Sequence, residues 1–262
     1  MGIVNLTPDS FYDGGFYPDP ESGITRAREL ADAGADIIDL GGESSRPGSE
    51  PVPVEEELRR VIPVIKGLAG RLPVPISIDT WKAEVAERAL EAGAEIINDI
   101  SALRFDPDLA SVAASAPGPY VMMHMLGTPK DMQERPSYRD VLGEIRDFFS
   151  RRLDIAAAAG IDRSRIIIDP GIGFGKTLEH NLEIINGLAA FRVLGRPILV
   201  GVSRKSFIGA ILDRAPAGRL WGTAGAVAAA IMRGADIVRI HDIVGMKDLV
   251  AVAGRIREAG AE

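Results

Sequence analysis

Short, continuous runs of apolar residues recur along this chain at fairly even intervals. Three of them follow a helix-like stretch that ends at Gly34, Gly93 or Gly234, and a short turn then leads into IIDL, IIND or IVRI. A glycine just after a helical pattern indicates a helix C-terminus, and the apolar run after the turn indicates a buried strand. Because these runs are continuous rather than alternating, they predict strands covered on both faces, which is typical of a parallel sheet. Five further runs share this character: GIVNL (2–6), PISID (75–79), YVMMH (120–124), RIIID (165–169) and PILVGV (197–202).

Amphipathic patterns with helical spacing separate the apolar runs. Together they make eight strand-then-helix units, which predict an α/β fold of the (β/α)8 TIM-barrel type. A doubly wound open sheet is the alternative, but it usually has fewer strands and a glycine-rich first turn, which is absent here. No linker or low-complexity tract interrupts the pattern, so we expect a single domain over residues 1–262. The clearest predicted helices cover 53–68, 82–93, 139–160, 178–191, 224–234 and 246–260, with a weaker one at 106–116.

Composition excludes several classes of protein. The chain has 262 residues, of which 46% are hydrophobic, and this is ample for a barrel-sized core. A net charge of −7 argues against nucleic acid as the main partner, because phosphate backbones need clustered lysine and arginine. The absence of cysteine excludes a disulfide framework and a thiolate metal site. We expect no membrane span, no signal peptide and a cytoplasmic location, because no apolar run approaches the about 20 residues that cross a bilayer.

Polar or charged residues stand at the end of every predicted strand. In a (β/α)8 barrel the carboxyl ends of the strands form the active-site face. Any one of these residues could simply cap the next helix, but eight such ends together indicate a binding or catalytic rim. The residues are Asn5, Asp39, Asp79, Thr80, Asn98, Asp99, His124, Asp169, the segment 203–206, Arg239, His241 and Asp242.

Two chemically different sets can be separated within this rim. Asp79, Asn98 and Asp169 would present acceptors and one amide, which suits a heterocycle with several N–H donors. Strand-end carboxylates also bind Mg²⁺ or act as general bases, so those alternatives stay open on this pattern. The second set is cationic or able to become so, and it suggests a bound phosphate or pyrophosphate; its members are Arg46, Lys205, Arg239 and His241.

Four features of these loops each have an ordinary structural explanation beside a functional one. Lys176 is expected to be a solvated loop charge, whereas Lys205, directly after a buried strand, favours function. His124, between methionines, is as compatible with a core or rim histidine as with a functional one. The segment GIGFG (171–175) is a poor match to a dinucleotide loop, because it reads G-x-G-x-G and follows a proline.

Eight motifs occur in the order found in one enzyme family. They are MGIVNLTPDSFYDGG, GGESSRPGSEPV, SIDTWK, INDIS, MMHMLGTP, IDPGIGFGKT, GVSRKSFIG and VRIHD. On these motifs the chain resembles the dihydropteroate synthases of folate synthesis, from Met1 to about Asp242. That family has a (β/α)8 barrel, in agreement with the strand count. Its transferase reaction joins 7,8-dihydropterin-6-methyl pyrophosphate to p-aminobenzoate, with release of pyrophosphate, and sulfonamides act as aminobenzoate mimics.

The resemblance also implies roles for individual residues. Those that would hold the pterin ring are Asp79, Asn98, Asp169, Phe174 and Lys205. Those that would hold the pyrophosphate are Asn5, Ser45, Arg46, Arg239 and His241, with Mg²⁺ as cofactor near Asn5. The aminobenzoate pocket would be lined by Phe11, Pro47, Lys205 and Ser206. The residues that would take part in catalysis are Asp13, Asp79, Asp169, Lys205 and Arg239. The family usually has threonine at the position of Ser45, and we expect the remaining hydroxyl to keep the role.

By the same resemblance, the first loop would be a mobile lid. Asp9 and Asp13 would lie in the part that closes over the leaving group, and Gly14 with Gly15 would permit closure. The electron-rich pterin predicts dissociative C–O cleavage followed by attack of the amine. The family resemblance also implies a homodimer formed through outer helices.

Three rival functions fit parts of the pattern. A pterin-binding methyltransferase module that serves a corrinoid protein would share the barrel and the Asp-Asn-Asp set, but would not need SSRPG, SRKSF or the pyrophosphate cations. A non-catalytic barrel kept for binding or assembly would not need the complete set of strand-end groups. A phosphate-binding lyase with a Schiff-base lysine would place that lysine within a strand, and none of the eight runs contains one.

Overall fold

Eight short strands alternate with helices along the chain. The computed structural model describes residues 1–7 and 19–260. The strands are β1 (Gly2–Asn5), β2 (Ile38–Gly41), β3 (Ile76–Asp79), β4 (Ile96–Asp99), β5 (Tyr120–Met123), β6 (Ile166–Asp169), β7 (Leu199–Val200) and β8 (Ile237–Val238). The α-helices within the described ranges are α1 (Pro20–Asp32), α2 (Val54–Leu68), α3 (Ala83–Ala92), α4 (Leu109–Ser115), α5 (Val141–Ala158), α6 (Leu178–Asn186), α7 (Ser206–Leu212), α8 (Leu220–Arg233) and α9 (Ile243–Ala259).

The strands form a closed parallel barrel in chain order. Strands β1 to β6 pair successively as parallel neighbours, and β7 pairs with β8. Single bridges join the two groups: the Ile168 N–H donates to the Pro197 carbonyl at 3.0 Å, and the Ile3 N–H donates to the Ile240 carbonyl at 3.1 Å. The predicted (β/α)8 barrel is therefore confirmed.

The helices depart from the predicted pattern in two places. The segment predicted as one helix at 178–191 is divided, because α6 ends at Asn186 and a 3₁₀ helix, Leu188–Leu194, follows. A Cβ on the intervening Gly187 would lie 2.4 Å from Leu142 Cδ1, so a larger residue here would require the Leu142 side chain of α5 to shift. Helix α7 was not predicted, because its seven residues are too few for a helical period to show. Within residues 1–7 and 19–260, none of the helices is long and apolar enough to cross a membrane.

The interior of the barrel changes from apolar to polar along the strand direction. Side chains two positions apart on a strand point to the same face, and on β4 and β6 Asn98 and Asp169 follow Ile96 and Ile167. Polar groups therefore stand directly above an apolar plug, in a place where water has little access from below. The plug is a separate buried cluster at the amino-terminal end of the barrel, formed by Met1, Ile96, Val121, Ile167 and Leu199.

Candidate active site

A cavity opens at the carboxyl-terminal end of the barrel, above the apolar plug. Each of the eight strands, or the loop after it, contributes at least one residue to its lining. Apolar side chains, among them Ile100, Met123 and Ile172, form part of the wall. Eight residues predicted for the site also line this cavity: Ser45, Asp79, Asn98, Asp169, Phe174, Lys205, Arg239 and His241.

Arg239, just after β8, is held by two carboxylates at the base of the cavity. Its Nε donates to Asp39 Oδ2 at 2.6 Å, and its Nη2 donates to Asp79 Oδ2 at 2.7 Å. Asp39 is fully buried and also accepts from Asn98 Nδ2 at 3.1 Å. Residues from β2, β3, β4 and β8 are thus locked into one network, and Nη1 of Arg239 is used by neither of these two ion pairs.

Two carboxylates, Asp39 and Asp79, share the single guanidinium of Arg239, and the pKa values of Asp79 and Arg239 are both raised. Burial opposes a charge on Arg239, but Asp39 and Asp79 outweigh it and raise the pKa of Arg239 above its ordinary value. Burial raises the pKa of Asp79 to about 7, although Arg239 acts in the opposite direction. Arg239 is therefore charged at neutral pH, while Asp79 can exchange a proton near that pH.

Lys205 and Asp169 lie on another side of the cavity. Lys205 Nζ stands 4.0 Å from the centroid of the Phe174 ring, within the range of a cation–π contact. Burial lowers the pKa of Lys205 to about 8, against the opposing effect of Asp169. Burial also raises the pKa of Asp169, whose Oδ1 accepts the Gly171 N–H at 2.7 Å. A buried acid and a half-buried base therefore face the same small space.

The backbone around Lys205 is held from two directions. Arg204, which precedes it with φ of +57°, makes a bidentate pair with Asp242 at 2.9 and 2.5 Å. Arg219, just before α8, donates from Nη1 to the Arg204 and Lys205 carbonyls at 2.9 and 3.2 Å. These contacts fix the loop between β7 and α7, so the position of the Lys205 side chain starts from a rigid base.

His241 is a neutral donor or acceptor rather than a cation in this structure. Its Nδ1 lies 2.9 Å from Ser203 Oγ, and that oxygen also accepts the His241 N–H at 3.2 Å. Burial and the nearby Arg239 charge lower the pKa of His241 to about 4. An anion that arrived here would favour protonation of the ring.

Comparison with known proteins identifies the family to which the chain belongs. The family model described as pterin binding enzyme matches residues 1–241. A dihydropteroate synthase of Synechocystis is 50% identical over 242 residues, which is 92% of this chain and 84% of that relative. The chain belongs to the dihydropteroate synthase family of pterin-binding enzymes. The dihydropteroate synthase of Escherichia coli strain K12 is 46% identical over 92% of this chain and 85% of its own length.

Solved dihydropteroate synthases share the whole fold. A Yersinia pestis dihydropteroate synthase, in a complex with a sulfonamide drug, superposes with a TM-score of 0.94 at 41% identity, covering 98% of this chain and 94% of its own. A Xanthomonas albilineans dihydropteroate synthase with 4-aminobenzoic acid gives 0.92 at 44% identity, covering 100% and 93%. The Xanthomonas enzyme in complex with 7,8-dihydropteroate gives 0.88 at 41% identity, again covering 100% and 93%.

Several residues predicted for the pyrophosphate or for the aminobenzoate do not line the cavity. Arg46, Pro47 and Ser206 are exposed and do not line the cavity. Asn5 ends β1 beside Gly41, and its Oδ1 would lie 3.8 Å from a Cβ placed on that glycine, close to Asp79. Five predicted residues of the first loop lie outside the described residues: Asp9, Phe11, Asp13, Gly14 and Gly15.

Lys176 is buried, and its prediction as a solvated loop charge is wrong. Only 3% of the residue is exposed, and its Nζ lies 3.0 Å from His124 Nδ1 and donates to the Phe174 carbonyl at 2.9 Å. His124 is therefore a buried partner of this lysine, which is the ordinary one of the two explanations weighed for it. Burial lowers the pKa of both groups. A local pattern does not show that the Lys176 side chain turns inward.

Asp39 was noted at a strand end but not selected for the site. Its side chain connects Arg239 and Asn98, which come from strands far apart along the chain. The signal in the sequence is a carboxylate inside an otherwise apolar buried strand, IIDL. Such a charge needs a partner, but the partner stands 200 positions away and cannot be identified from the strand alone.

Proposed function

We propose that this chain condenses a 7,8-dihydropterin-6-methyl pyrophosphate with p-aminobenzoate to give 7,8-dihydropteroate and pyrophosphate. The observation that carries the proposal is a single cavity with two chemically distinct walls. One wall offers the carboxylate and amide groups of Asp79, Asn98 and Asp169 together with Lys205, and the other offers Arg239, His241 and Ser45. This pairing suits a substrate with an N–H-rich ring at one end and a pyrophosphate at the other.

The first wall would bind the pterin. Asp79, Asn98 and Asp169 supply acceptors and an amide for the amino and ring N–H groups, and Lys205 supplies a donor. Met123 and Phe174 offer apolar surface to the ring. Because Asp39 fixes the Asn98 amide and the Gly171 N–H fixes Asp169, the contacts are oriented before the ring arrives.

The second wall would hold the leaving group. Arg239, His241 and Ser45 line the cavity, and Arg46 follows Ser45 on the same loop. The C–O bond breaks with its electron pair passing to the pyrophosphate, and the pterin-stabilised cation is countered by Asp169 and Asp79. The aminobenzoate nitrogen then bonds to the methylene carbon and releases a proton. Positive groups placed where charge develops lower the barrier to the first step.

We also propose that Mg²⁺ accompanies the pyrophosphate, with Asn5 as its contact on the protein. Among residues 1–7 and 19–260 no three His, Cys, Asp or Glu side chains are grouped as a metal cage. Mg²⁺ needs only one or two protein ligands when phosphate oxygens supply the rest, and the Asn5 amide oxygen at the end of β1 fits that need. When bound, the ion would neutralise charge on the leaving pyrophosphate.

A homodimer is part of the proposal. Of the eleven exposed large hydrophobic residues among those described, seven fall on α7, α8 and α9, which follow one another in the chain. The most exposed are Val244 at 85% and Trp221 at 78%. A second copy of the chain would cover this apolar face in a self-complementary way. The members of the face are Ile211, Leu212, Trp221, Met232, Val244, Val252 and Ile256.

The decisive experiment follows aminobenzoate in two ways. Calorimetry should detect binding of aminobenzoate only when Mg²⁺, pyrophosphate and a pterin are present, because the bound pyrophosphate completes the aminobenzoate pocket. Pyrophosphate release from the pterin substrate should depend on aminobenzoate and should be inhibited competitively by a sulfonamide. Pterin binding without any aminobenzoate binding would overturn the proposal and favour a pterin-dependent methyltransferase module.

A further inference from the structure

Lys82 lies outside the cavity yet holds the loop between β2 and α2. It follows β3 by three positions, and only 5% of it is exposed. Its ammonium forms ion pairs with Glu43 and Glu57 and donates to the Val52 carbonyl at 2.6 Å. Three acceptors match the three N–H bonds of an ammonium, so the group is fully used in these contacts.

Two of the three acceptors, Glu43 and Val52, flank one loop segment on either side. Glu43 stands just after β2, and Val52 stands just before α2. The Lys82 ammonium therefore holds together the two ends of the loop formed by residues 44–51. The third acceptor, Glu57, lies on the first turn of α2, so the closure is also tied to the helix. We name this arrangement, Lys82 with Glu43, Val52 and Glu57, the loop clamp.

The clamped loop carries three residues assigned to the reaction. Ser45 lines the cavity, and Arg46 and Pro47 follow it in exposed positions. Within this loop, Ser49 Oγ donates to the Ser44 carbonyl at 2.6 Å, and the Gly48 N–H donates to the Pro129 carbonyl at 2.9 Å. Among the described residues, the tip is tied to the rest of the barrel by this link to Pro129 and by an exposed pair between Lys130 and Glu50, so its placement also depends on where its two ends are held.

We propose that Lys82 is a positioning residue for the second substrate and the leaving group. It fixes the ends of segment 44–51, so that Ser45, Arg46 and Pro47 need less ordering when aminobenzoate and pyrophosphate bind. This inference rests on the proposed function. Because Lys82 does not touch the wall formed by Asp79, Asn98 and Asp169, the pterin should bind equally well with or without the clamp.

The first test replaces Lys82 by methionine, which keeps the length of the stem. In K82M, the KM for aminobenzoate and the inhibition constant of a sulfonamide should each rise by about tenfold or more, because the loop must now be ordered on binding. The dissociation constant of the pterin should stay within about twofold. Hydrogen–deuterium exchange should become faster at the amides of residues 44–51.

The matched control removes another ammonium that binds the same loop. Lys130 pairs with Glu50 at 2.9 Å, with both side chains more than half exposed. An exposed pair of this kind contributes little, so K130M should leave the aminobenzoate KM and the exchange of 44–51 unchanged. An equal effect in K130M would overturn a specific role for Lys82.

K82M leaves the buried Glu57 carboxylate and the half-buried Glu43 carboxylate without their cation, which could prevent folding. The variant that combines K82M with Glu43→Gln and Glu57→Gln removes those charges, and we expect it to fold. It should still show the raised aminobenzoate KM and the faster exchange, because the link between residues 43 and 52 is absent. A normal aminobenzoate KM in this folded triple variant, or equal weakening of pterin and aminobenzoate, would overturn the proposal.

Failure of the clamp and failure of the proposed function give different results. A wild-type protein that showed no aminobenzoate-dependent release of pyrophosphate would defeat the proposed function. Unaltered hydrogen exchange at 44–51 in K82M and in the triple variant would defeat the loop clamp, whatever the enzyme's reaction.

Discussion

Arg239 is the residue on which both halves of the proposed site depend. Its guanidinium is paired with Asp39 through Nε and with Asp79 through Nη2, and neither of these pairs uses Nη1. A planar fork can serve several partners at fixed angles, which an ammonium cannot do. The same side chain therefore contributes to the stability of the barrel mouth and to the binding of the leaving group.

Replacing Arg239 by alanine should affect rate and stability together. Turnover should fall by at least about 10²-fold, the usual scale for loss of one such electrostatic donor. The free energy of unfolding should fall by roughly 3–5 kcal/mol, because Asp39 and Asp79 would stay buried without their partner. Turnover per folded enzyme and urea unfolding measure the two effects. R239K is the control, and it should keep more stability than R239A; an unchanged turnover in R239A would remove Arg239 from the reaction.

Asp79 predicts a measurable dependence of stability on pH. Its folded-state pKa of about 7 lies above the ordinary value of 3.8, so the folded protein keeps this proton at pH values where the unfolded chain has released it. The resulting contribution to stability is complete below about pH 4 and is lost as the pH rises through 7. Its size is at most about 4 kcal/mol.

Urea unfolding between pH 4 and pH 8 tests this prediction. The free energy of unfolding of D79N should fall less steeply over this range than that of the wild type, because asparagine does not titrate. The other buried acids, Asp99, Asp169 and Glu57, are shared by both proteins, so the difference between the two curves isolates Asp79. Identical slopes would show that Asp79 is not protonated in the folded state at these pH values.

At the scale of elements, the loop between β6 and α6 shapes one side of the cavity. It carries Phe174 into the lining, and its Gly171 N–H orients Asp169. The Lys176 ammonium stabilises this loop by donating to the Phe174 carbonyl at 2.9 Å. Gly171 has φ of +71°, and a Cβ there would lie 1.9 Å from the His124 carbonyl oxygen. Both the conformation and the space at this position require glycine.

Two glycine-to-alanine variants separate these requirements. Gly195 has φ of +65°, but no atom lies within 4 Å of a Cβ placed there. G195A should cost about 1–2 kcal/mol of stability, from the left-handed conformation alone. G171A should cost clearly more and should weaken pterin binding, because the loop must move away from His124 and Asp169. Thermal unfolding and pterin calorimetry compare the two, and equal effects would contradict the role assigned to the close approach.

At the scale of the whole molecule, the apolar face of α7, α8 and α9 predicts the oligomeric state. Replacing Trp221 by aspartate should shift the proposed dimer to a monomer, because burial of a charge at the centre of such a face is strongly unfavourable. V193D is the control, since Val193 is 75% exposed but lies on the 3₁₀ helix Leu188–Leu194 rather than on this face. Sedimentation velocity distinguishes the outcomes, and a wild-type monomer would overturn the dimer.

The amino-acid sequence by itself determined the barrel and the position of its site. Continuous apolar runs require strands covered on both faces, and helical patterns between them require parallel connections. Because parallel strands bring all their carboxyl ends to one face, residues such as Asp79, Asn98, Asp169 and Arg239 had to meet there, and they line the cavity. The position of a strand along the chain and the face to which each of its side chains points are local properties, so sequence patterns reveal them.

Only the tertiary structure decided which of these groups pair and which loop side chains turn inward. Arg239 selects Asp39 and Asp79, Lys176 lies beneath its own loop, and Lys82 closes a loop that belongs to another strand. Each of these contacts satisfies a charged group that would otherwise be costly to bury. Their partners are brought close only when the barrel closes, and for that reason no local pattern in the sequence could identify them.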